Sequence, residues 1–331
     1  MCIQNTLLYI ALFLISLQVI LLFIQLCNGI YKYFFIKEID LLERYGKNSW
    51  VIITGASSGQ GYEFAIQFAK RDFNILMIGS KRCIETQTFI NKHYPNVKTK
   101  IIIKDFRKAF EDDFFNDIET EITNIGLNNS LLINNVGYRV GWKPYHEMNS
   151  KYIRDTIATG TLVQSRLTHI IIPFFVKRNN IGMKSGLINI TAQCMHPNFL
   201  FGITTNNEIS VPYLSVYEGS NAFGFYQGNS IFKEYEGVFD ILNITPGAVI
   251  TKNTKYLSGT LFNVESHIFV ENIIRLLGNI QGSTCGYWGH ALSNYLINLA
   301  PFLKDKMLKD VGETIAFNFM NNEIENNKKY D

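Results

Sequence analysis

The feature that most constrains the fold is a regular alternation between short apolar runs and segments with helical spacing. The apolar runs, which we predict to be strands, are Trp50–Thr54, Asn74–Gly79, Lys100–Lys104, Ser130–Asn134, Gly186–Thr191, Val238–Ile244 and a less regular Thr284–Trp288. Nearly continuous hydrophobicity is typical of strands buried on both faces. The helical segments between them are Tyr62–Arg71, Arg82–Lys92, Phe114–Ile125, Tyr152–Val176, Leu214–Glu236 and Val264–Leu277. The alternation predicts an α/β fold with a doubly wound parallel sheet.

Composition and continuity favour one folded domain. Charged residues make up 18% of the 331 and hydrophobic residues 47%, which excludes a disordered chain or a coiled coil. The net charge of +3 is too small to indicate a nucleic-acid partner. No repeat or linker interrupts residues 48–290. We therefore predict an anchor and juxtamembrane segment at 1–47, a single dinucleotide-binding domain at 48–320 and a polar tail at 321–331.

The N-terminal segment Leu7–Cys27 has no charged residue and, as a helix, is long enough to cross about 30 Å of hydrocarbon. The alternatives are a buried core helix and a signal peptide, but a signal peptide has a shorter apolar core that ends in small residues. Here bulky Phe23, Ile24 and Leu26 lie just before Cys27. We predict a retained transmembrane helix.

Basic residues and cysteines indicate the compartment. No Lys or Arg precedes the apolar segment, whereas four follow it closely: Lys32, Lys37, Arg44 and Lys47. This asymmetry predicts a cytosolic domain. The five cysteines are widely spaced without a CxxC, so they do not form a disulfide framework. Of three glycosylation sequons, those at Asn189 and Asn243 lie in predicted buried strands, and we discount all three, including Asn128.

The C-terminus also bears on location. The last four residues, Lys328-Lys329-Tyr330-Asp331, resemble the dilysine retrieval signal of endoplasmic reticulum membrane proteins. The alternative is a solvated basic tail. Together with the apolar segment and the charge asymmetry, they predict an endoplasmic reticulum membrane protein with its domain in the cytosol.

A glycine-rich turn follows the first predicted strand. It reads Thr54-Gly55-Ala56-Ser57-Ser58-Gly59-Gln60-Gly61 and leads directly into a helix. Such a turn brings backbone N–H groups to a diphosphate, whose negative charge the helix dipole favours. An ordinary strand–helix turn is the alternative, but the flanking strand and helix favour a dinucleotide site.

These residues resemble the fingerprint of the short-chain dehydrogenase/reductase family. Further motifs resemble the family in the same order along the chain: Lys104-Asp105-Phe106, Asn134-Asn135-Val136-Gly137, Gly186–Ile190 and Pro246–Thr251. With the N-terminal segment and the Gly286–Leu292 motif, the chain resembles the microsomal very-long-chain 3-oxoacyl-CoA reductases and the related 17-beta-hydroxysteroid dehydrogenases over essentially its whole length.

The resemblance implies an NADP(H)-dependent oxidoreductase acting on a lipid-like ketone, either a 3-oxoacyl-CoA in very-long-chain fatty acid elongation or a steroid. It also implies a homodimer or elongation-complex partners. The implied cofactor-binding residues are Gly55, Ser57, Ser58, Gly59, Gln60, Gly61, Lys81, Asp105, Asn135, Gly137, Pro246, Gly247 and Thr251. Asp105 would contact the adenine. NAD-specific members need an acidic residue at the end of the second strand as acceptor for the ribose 2′-hydroxyl, and this chain has none there. Lys81 and Arg82, which follow, could instead meet a 2′-phosphate and so favour NADP. The alternative is that they are a solvated pair at a helix start.

The family's catalytic residues are mostly replaced. The family uses a Tyr as proton donor, with a Lys four residues later that lowers the Tyr pKa from about 10. Tyr217 matches that Tyr, but Asn221 replaces the Lys. Ala192 stands at the carbonyl-binding Ser and Gly160 at the relay Asn. Ala192 and Tyr217 are 25 positions apart, where the family has 13, and the extra residues lie around Asn198–Ser210.

Two hypotheses follow for the site. In the first, a reductase works with Tyr217 as the acid, Thr191 (or Thr204) as the hydroxyl at the carbonyl oxygen and Asn221 at the ribose. In the second, the protein binds nucleotide or partners without turnover, and Tyr217 is a packing residue. The six histidines have no metal-site spacing, so we predict no metal.

Overall fold

The computed structural model describes residues 2–137, 143–192, 199–200, 203–204, 210–251, 254, 259–299, 306, 308–310 and 312–313. Most of the Asn198–Ser210 insertion and the whole tail, including Lys328 and Lys329, lie outside the described residues. The chain forms two compact units, Met1–Lys37 and Glu38–Asp331, and each is described by itself.

The first unit is one long helix. Helix α1 spans Cys2–Ile30 and continues through a π-helical turn, Tyr31–Phe35. The segment Leu8–Phe35 is long and apolar enough to cross a membrane, by length and composition, and its most apolar window has no residue buried in the protein. The sequence pattern thus correctly predicted a long apolar helix, while its insertion into a membrane stays a prediction.

The second unit is built on a seven-stranded sheet in which every pairing is parallel. The strands are β1 (Trp50–Thr54), β2 (Asn74–Gly79), β3 (Thr99–Ile103), β4 (Asn129–Asn134), β5 (Gly186–Ile190), β8 (Asp240–Ile244) and β11 (Gly282–Thr284). Two small sheets pair β6 (Phe199–Leu200) with β7 (Ile203–Thr204), and β9 (Val249–Ile250) with β10 (Val264–Glu265). The main order is β11-β8-β5-β4-β1-β2-β3, which confirms the predicted doubly wound α/β fold. The order reverses between β1 and β4, and ligands of such sheets bind outside the strand ends at that point.

One short helix precedes the first strand, and the other helices of this unit lie between or after the strands. They are α2 (Leu41–Tyr45), α3 (Gly59–Ala69), α4 (Cys83–His93), α5 (Asn116–Ile125), α6 (Ser150–Ile157), α7 (Val163–Asn180), α8 (Ser215–Glu234), α9 (Ser266–Leu276) and α10 (Trp288–Leu299). Strands β1, β2 and β4 are buried along their full length, as their continuous hydrophobicity predicted.

Several elements differ from the sequence prediction. The seventh strand is Gly282–Thr284 rather than Thr284–Trp288, because the chain turns at Gly286 with φ +72° and enters α10. The long helix predicted at Tyr152–Val176 is interrupted by a π-helical turn, Ala158–Leu162. The helices α2 and α10 and the short strands β6, β7, β9 and β10 were not predicted.

Helix α2 is held to the sheet by buried polar groups. Both carboxylate oxygens of Asp240 accept from the Arg44 guanidinium, at 2.6 and 2.8 Å, and Oδ2 also accepts from the Tyr45 hydroxyl at 2.6 Å. The Gln281 amide donates to the same carboxylate. Burial alone would raise the pKa of Asp240, but these donors outweigh it and hold the pKa below its ordinary value.

A ladder of buried amides crosses the sheet. Asn134 donates to Asn189 at 2.9 Å, Asn189 to Asn243 at 2.9 Å, and Asn243 to Asn229 of α8 at 3.0 Å. The register pairs these three strand residues directly. Asn189 and Asn243 are therefore inaccessible to modification in the folded state, as their place in predicted buried strands suggested.

Candidate functional site

The glycine-rich turn lies at the carboxyl end of β1. Gly55 and Gly59 have φ of +70° and +56°, which L side chains rarely adopt. At Gly61, a Cβ would lie 2.2 Å from the Gly55 oxygen and 2.7 Å from Nδ2 of Asn135. Helix α3 thus approaches the turn more closely than any side chain at position 61 allows.

The N-terminus of α3 presents donors at this turn. Ser58 caps the helix in extended conformation without a side-chain capping bond. The N–H groups of the first turn have no acceptor within the helix. Ser57, Ser58 and Gln60 are partly exposed here. Within the described part of the chain, the buried Oε1 of Gln60 has no hydrogen-bond partner.

Two neighbouring loops complete this end of the site. Asn135, after β4, donates from Nδ2 to the Thr54 carbonyl and from its backbone N–H to the Thr54 hydroxyl, both at 2.9 Å. Gly137 follows and is exposed. After β8, Thr251 lies against the turn, with its methyl carbon 3.2 Å from where a Cβ on Gly59 would be. These contacts bring the loops predicted at Asn135 and Thr251 to the glycines.

The rest of the post-β8 loop lies at the same edge. Pro246 is buried and Gly247 is half-buried. The chain then forms β9, and the Thr254 hydroxyl bonds both the Val249 carbonyl and the backbone N–H of Thr251. These hydrogen bonds hold the loop in place where it reaches the glycine turn.

The predicted adenine end lies at the ends of β2 and β3. Lys81 and Arg82 are exposed just before α4. Asp105, after β3, forms a two-pronged ion pair with Arg107, at 2.8 Å to Nε and 2.6 Å to Nη2. Hydrogen bonds from Arg107 hold the pKa of the Asp105 carboxyl below its ordinary value. No sequence motif indicated Arg107, although it lies only two residues after Asp105.

The predicted catalytic residues lie on α8 and after β5. Tyr217 is in the first turn of α8 and packs with Val211, Tyr213 and Leu214 in an apolar cluster. The Asn221 side chain donates to the Tyr217 backbone oxygen at 2.9 Å. The Thr191 hydroxyl donates to Ile244 of β8 at 3.0 Å. The amide and the hydroxyl predicted to replace the family's Lys and Ser thus each have a backbone partner.

The position matched to the relay Asn has little room. Gly160 lies in the π-helical turn between α6 and α7. A Cβ there would lie 2.9 Å from the Cβ of Ser220 on α8. One helical turn later, the buried Gln164 donates to the Gly224 carbonyl at 3.2 Å. Where the family pattern has an Asn, this chain therefore has two closely packed helices and, one turn later, the buried amide of Gln164.

One residue of this region had no sequence signal. Glu218 follows Tyr217, and its Oε1 accepts from the backbone N–H of Val211 at 2.8 Å. Burial raises the pKa of Glu218 to about 7, although the Val211 bond opposes the shift. A Glu in a first helical turn usually faces solvent, so only the packing reveals this one.

The donors and spaces at the glycine turn fit a dinucleotide. Helix N-termini bind phosphate through their N–H groups and dipole. A Cβ at Gly61 would meet the Gly55 oxygen, so this glycine lets the N-terminus of α3 lie against the turn, where its N–H groups can meet a pyrophosphate. Gln60 adds an unsatisfied buried acceptor.

The sequence of this chain is similar to those of known dehydrogenases and reductases. The family model for short chain dehydrogenases matches residues 49–194. The very-long-chain 3-oxoacyl-CoA reductase of Caenorhabditis briggsae is 27% identical over 311 residues, which cover 92% of this chain and 90% of that protein. Hydroxysteroid dehydrogenase-like protein 1 of Gallus gallus is 26% identical and covers 77% of this chain and 72% of its own length.

Solved structures share the fold at low identity. A 7beta-hydroxysteroid dehydrogenase superposes with a TM-score of 0.64 at 19% identity, over 78% of this chain and 93% of that one. A short-chain dehydrogenase from Sphingobium yanoikuyae in complex with NADPH gives a TM-score of 0.59 at 18% identity, over 71% and 87%.

Proposed function

Because the chain is a relative of the short-chain dehydrogenases, we propose that it is an NADP(H)-dependent oxidoreductase that reduces the ketone of a lipid-like substrate. The favoured substrate class is a long-chain 3-oxoacyl-CoA, since several curated relatives carry that activity in their names. A steroid ketone is the alternative within the same chemistry, and it is supported by the hydroxysteroid dehydrogenase-like relative.

The observation that carries this proposal is the glycine turn with α3 behind it. A Cβ at Gly61 would fall 2.2 Å from the Gly55 oxygen, so the helix N-terminus can stand directly behind a bound pyrophosphate. When bound, NADPH supplies the hydride. Asn135 and Thr251 fix the two loops beside the glycines, and Gln60 offers an acceptor in the first turn of α3.

Tyr217 is the proposed proton donor to the carbonyl oxygen. Thr191 is the candidate to hold that oxygen, and its hydroxyl must leave the Ile244 carbonyl to do so. Asn221 is the candidate for the ribose, through an amide now bonded to the Tyr217 backbone. Asn221 carries no charge, so it does not lower the Tyr217 pKa as a Lys does. Because proton donation then lacks this help, we expect slow turnover, reduced by about 10²–10⁴.

The proposed location is the endoplasmic reticulum membrane with the domain in the cytosol. The segment Leu8–Phe35 supports a membrane anchor by its length and composition. Its C-terminal end carries Tyr31, Lys32, Phe34 and Phe35, and aromatic and basic residues are typical of the membrane–water interface on the cytosolic side.

The activity is tested with full-length protein in detergent. NADPH oxidation is followed with a long-chain 3-oxoacyl-CoA, and the 3-hydroxyacyl-CoA product is measured by mass spectrometry. We expect slow, substrate-dependent turnover that Tyr217→Phe lowers at least about 100-fold, because the proton donor is lost. Tyr226→Phe is the matched control, since that exposed Tyr lies about two and a half turns further along α8. Equal turnover by Tyr217→Phe and the wild type excludes Tyr217 as the acid.

A second candidate function is nucleotide binding without turnover. The close packing of Gly160 on Ser220 favours it, because this packing leaves no space for the relay side chain. NADPH binding with no product from either substrate class, acyl-CoA or steroid, supports this second function. Product formation from either class rules it out.

A further inference from the structure

A hydrogen-bonded turn in the second unit presents two large apolar side chains to solvent. Residues 260–263 form this turn, in which the backbone N–H of Thr260 donates to the Asn263 carbonyl at 3.2 Å and that of Asn263 donates back at 3.3 Å. The Thr260 hydroxyl also accepts from the N–H groups of Phe262 and Asn263. Leu261 and Phe262, at the tip, are 47% and 38% exposed. Surface turns usually carry Gly, Pro, Asn, Asp or Ser, so a Leu-Phe tip is unusual.

The backbone of this turn is held by two neighbouring elements. Val264, the next residue, begins β10, which pairs with β9, and its N–H donates to the Ala248 carbonyl at 3.3 Å. Gly289, in the first turn of α10, lies against the turn, since a Cβ there would overlap the Leu261 oxygen. The turn is therefore fixed through its backbone, while the side chains at its tip stay exposed.

Helix α10 adds a third exposed apolar side chain. Leu296 lies seven residues after Gly289, which is nearly two helical turns, so both residues lie on the same side of α10. Leu296 is 48% exposed and about 10 Å further along the helix. We call Leu261, Phe262 and Leu296 together the apolar tip surface.

The charges in the sequence around the turn are positive. Between residues 251 and 263 the charged residues are Lys252 and Lys255, and the first acidic residue after the turn is Glu265. Apolar side chains accompanied by lysines suit the interface of a bilayer whose headgroups are anionic. The segment is thus complementary in charge to such a surface.

The size of the apolar tip surface favours lipid over a protein partner. A stable protein interface buries about 800 Å² on each partner, and three half-exposed side chains offer far less. A small apolar contact is enough for a chain that is already held at a membrane, because tethering gives a high effective concentration. The segment Leu8–Phe35 is the candidate for such a tether.

We propose that the apolar tip surface docks on a lipid bilayer with anionic headgroups, with Leu261 and Phe262 inserted below the headgroups. This inference rests on the proposed membrane anchor. The pairing of β10 with β9 connects the turn to the loop that reaches the glycine turn at Thr251. Docking therefore brings the proposed cofactor site to the bilayer, where a lipid-like substrate is held.

The test is fluorescence quenching of full-length protein in vesicles of phosphatidylcholine and phosphatidylserine, with and without lipid brominated near the headgroup end of its chains. Phe262→Trp supplies the probe, and the wild type supplies the emission of the three native Trp residues. Phe89→Trp is the matched control, since Phe89 lies on α4 and is 37% exposed. Because interfacial apolar groups lie about 5–10 Å deep, we expect brominated lipid to remove about half of the emission added by Phe262→Trp and less than about a tenth of that added by Phe89→Trp.

Two further measurements test the contributions of the apolar tip and of the lipid charge. Leu261→Asp, made in the Phe262→Trp protein, should reduce the quenching at least about twofold, because a carboxylate is costly in hydrocarbon. Omitting phosphatidylserine should also reduce it, because the attraction to the lysines is lost. Thermal melting confirms that each variant is folded.

Flotation with the vesicles reports on the anchor separately. Protein that floats but is quenched equally in Phe262→Trp and Phe89→Trp overturns the docking and leaves the proposed anchor standing. Quenching that neither Leu261→Asp nor the omission of phosphatidylserine reduces also overturns it. Phe262→Trp emission that is shielded from water but insensitive to brominated lipid means that a second copy of the chain covers the turn, which overturns the lipid assignment. Protein that does not float contradicts the proposed anchor, and the docking falls with it.

Discussion

At the scale of single residues, Glu218 shows how packing sets chemistry beside Tyr217. The group is buried enough to raise the pKa of the carboxyl to about 7 from an ordinary value near 4.5. Its contribution to stability is therefore full below about pH 4.5 and is lost as the pH rises through 7. Above pH 7 the ionised carboxylate is the main form, and its partial desolvation costs free energy in the folded state.

We expect Glu218→Gln to stabilise the protein at pH 8 and to change little at pH 4.5. The amide keeps an oxygen for the Val211 N–H but carries no charge to desolvate. Since solvent reaches part of the side chain, the gain is about 1–2 kcal/mol. Thermal melting at the two pH values measures it. The exposed Glu236→Gln is the control and should show no such dependence. Equal melting temperatures of Glu218→Gln and wild type at pH 8 contradict a raised pKa for the Glu218 carboxyl.

Sequence patterns located some site residues and not others. The glycines were predictable because a strand–turn–helix with these spacings has few other uses. Tyr217, Asn221 and Thr191 were predictable as positions only, and their roles remain predictions. Gln164 was missed because its partner Gly224 lies 60 residues away in the sequence. Glu218 and Arg107 have partners close in the sequence, Val211 and Asp105, but no sequence pattern marks either pair.

At the scale of elements, the link from α2 to the sheet is the least expected feature. Helix α2 spans only Leu41–Tyr45, and a helix of this length is too short to form by itself in water. The buried Asp240 carboxylate supplies the missing stability by accepting from Arg44, Tyr45 and Gln281. The sequence contained no signal for this pairing, because Arg44 and Asp240 are 196 residues apart.

We expect Asp240→Ala to lower the free energy of unfolding by about 3 kcal/mol, because Arg44 and Tyr45 lose their buried acceptor. Denaturation with urea gives this value. Limited trypsin digestion should also cut faster at Arg44 or Lys47, since α2 is no longer held. Glu111→Ala, which removes an exposed partner of Lys108, should change stability by less than about 0.5 kcal/mol. If Asp240→Ala lowers the free energy of unfolding by no more than Glu111→Ala does, Asp240 does not hold α2 to the sheet.

The predicted bounds of the strands and helices agree with the structure at some elements and not at others. Strands β1 and β2 agree with the prediction residue by residue, because Gly55 follows the first apolar run and Gly79-Ser80 ends the second. The seventh strand was misplaced because the apolar Tyr287 and Trp288 extended the pattern beyond the turn at Gly286. The π-helical turn was not predictable, because nothing in Ala158–Leu162 marks the extra residue that such a turn inserts into a helix.

At the scale of the whole molecule, the orientation across the membrane has a direct test. Of the three sequons, Asn128 is exposed, whereas Asn189 and Asn243 are buried. A cytosolic domain predicts no glycan at Asn128 and complete digestion of the domain by protease added to intact microsomes. A mobility shift that Asn128→Gln abolishes, or a protected domain, contradicts the cytosolic orientation.

In the proposed function, the glycine turn and α3 bind NADPH. The most direct measurement is NADPH titration of the full-length wild type, Gly61→Ala and Gly219→Ala, with thermal melting to confirm folding. A Cβ at Gly61 meets the Gly55 oxygen at 2.2 Å, whereas one at Gly219 meets nothing within 4 Å. We expect saturable binding by the wild type and Gly219→Ala, and affinity at least about tenfold lower in Gly61→Ala, because its backbone donors are displaced. No binding by the wild type, or equal affinity in a folded Gly61→Ala, contradicts the claim.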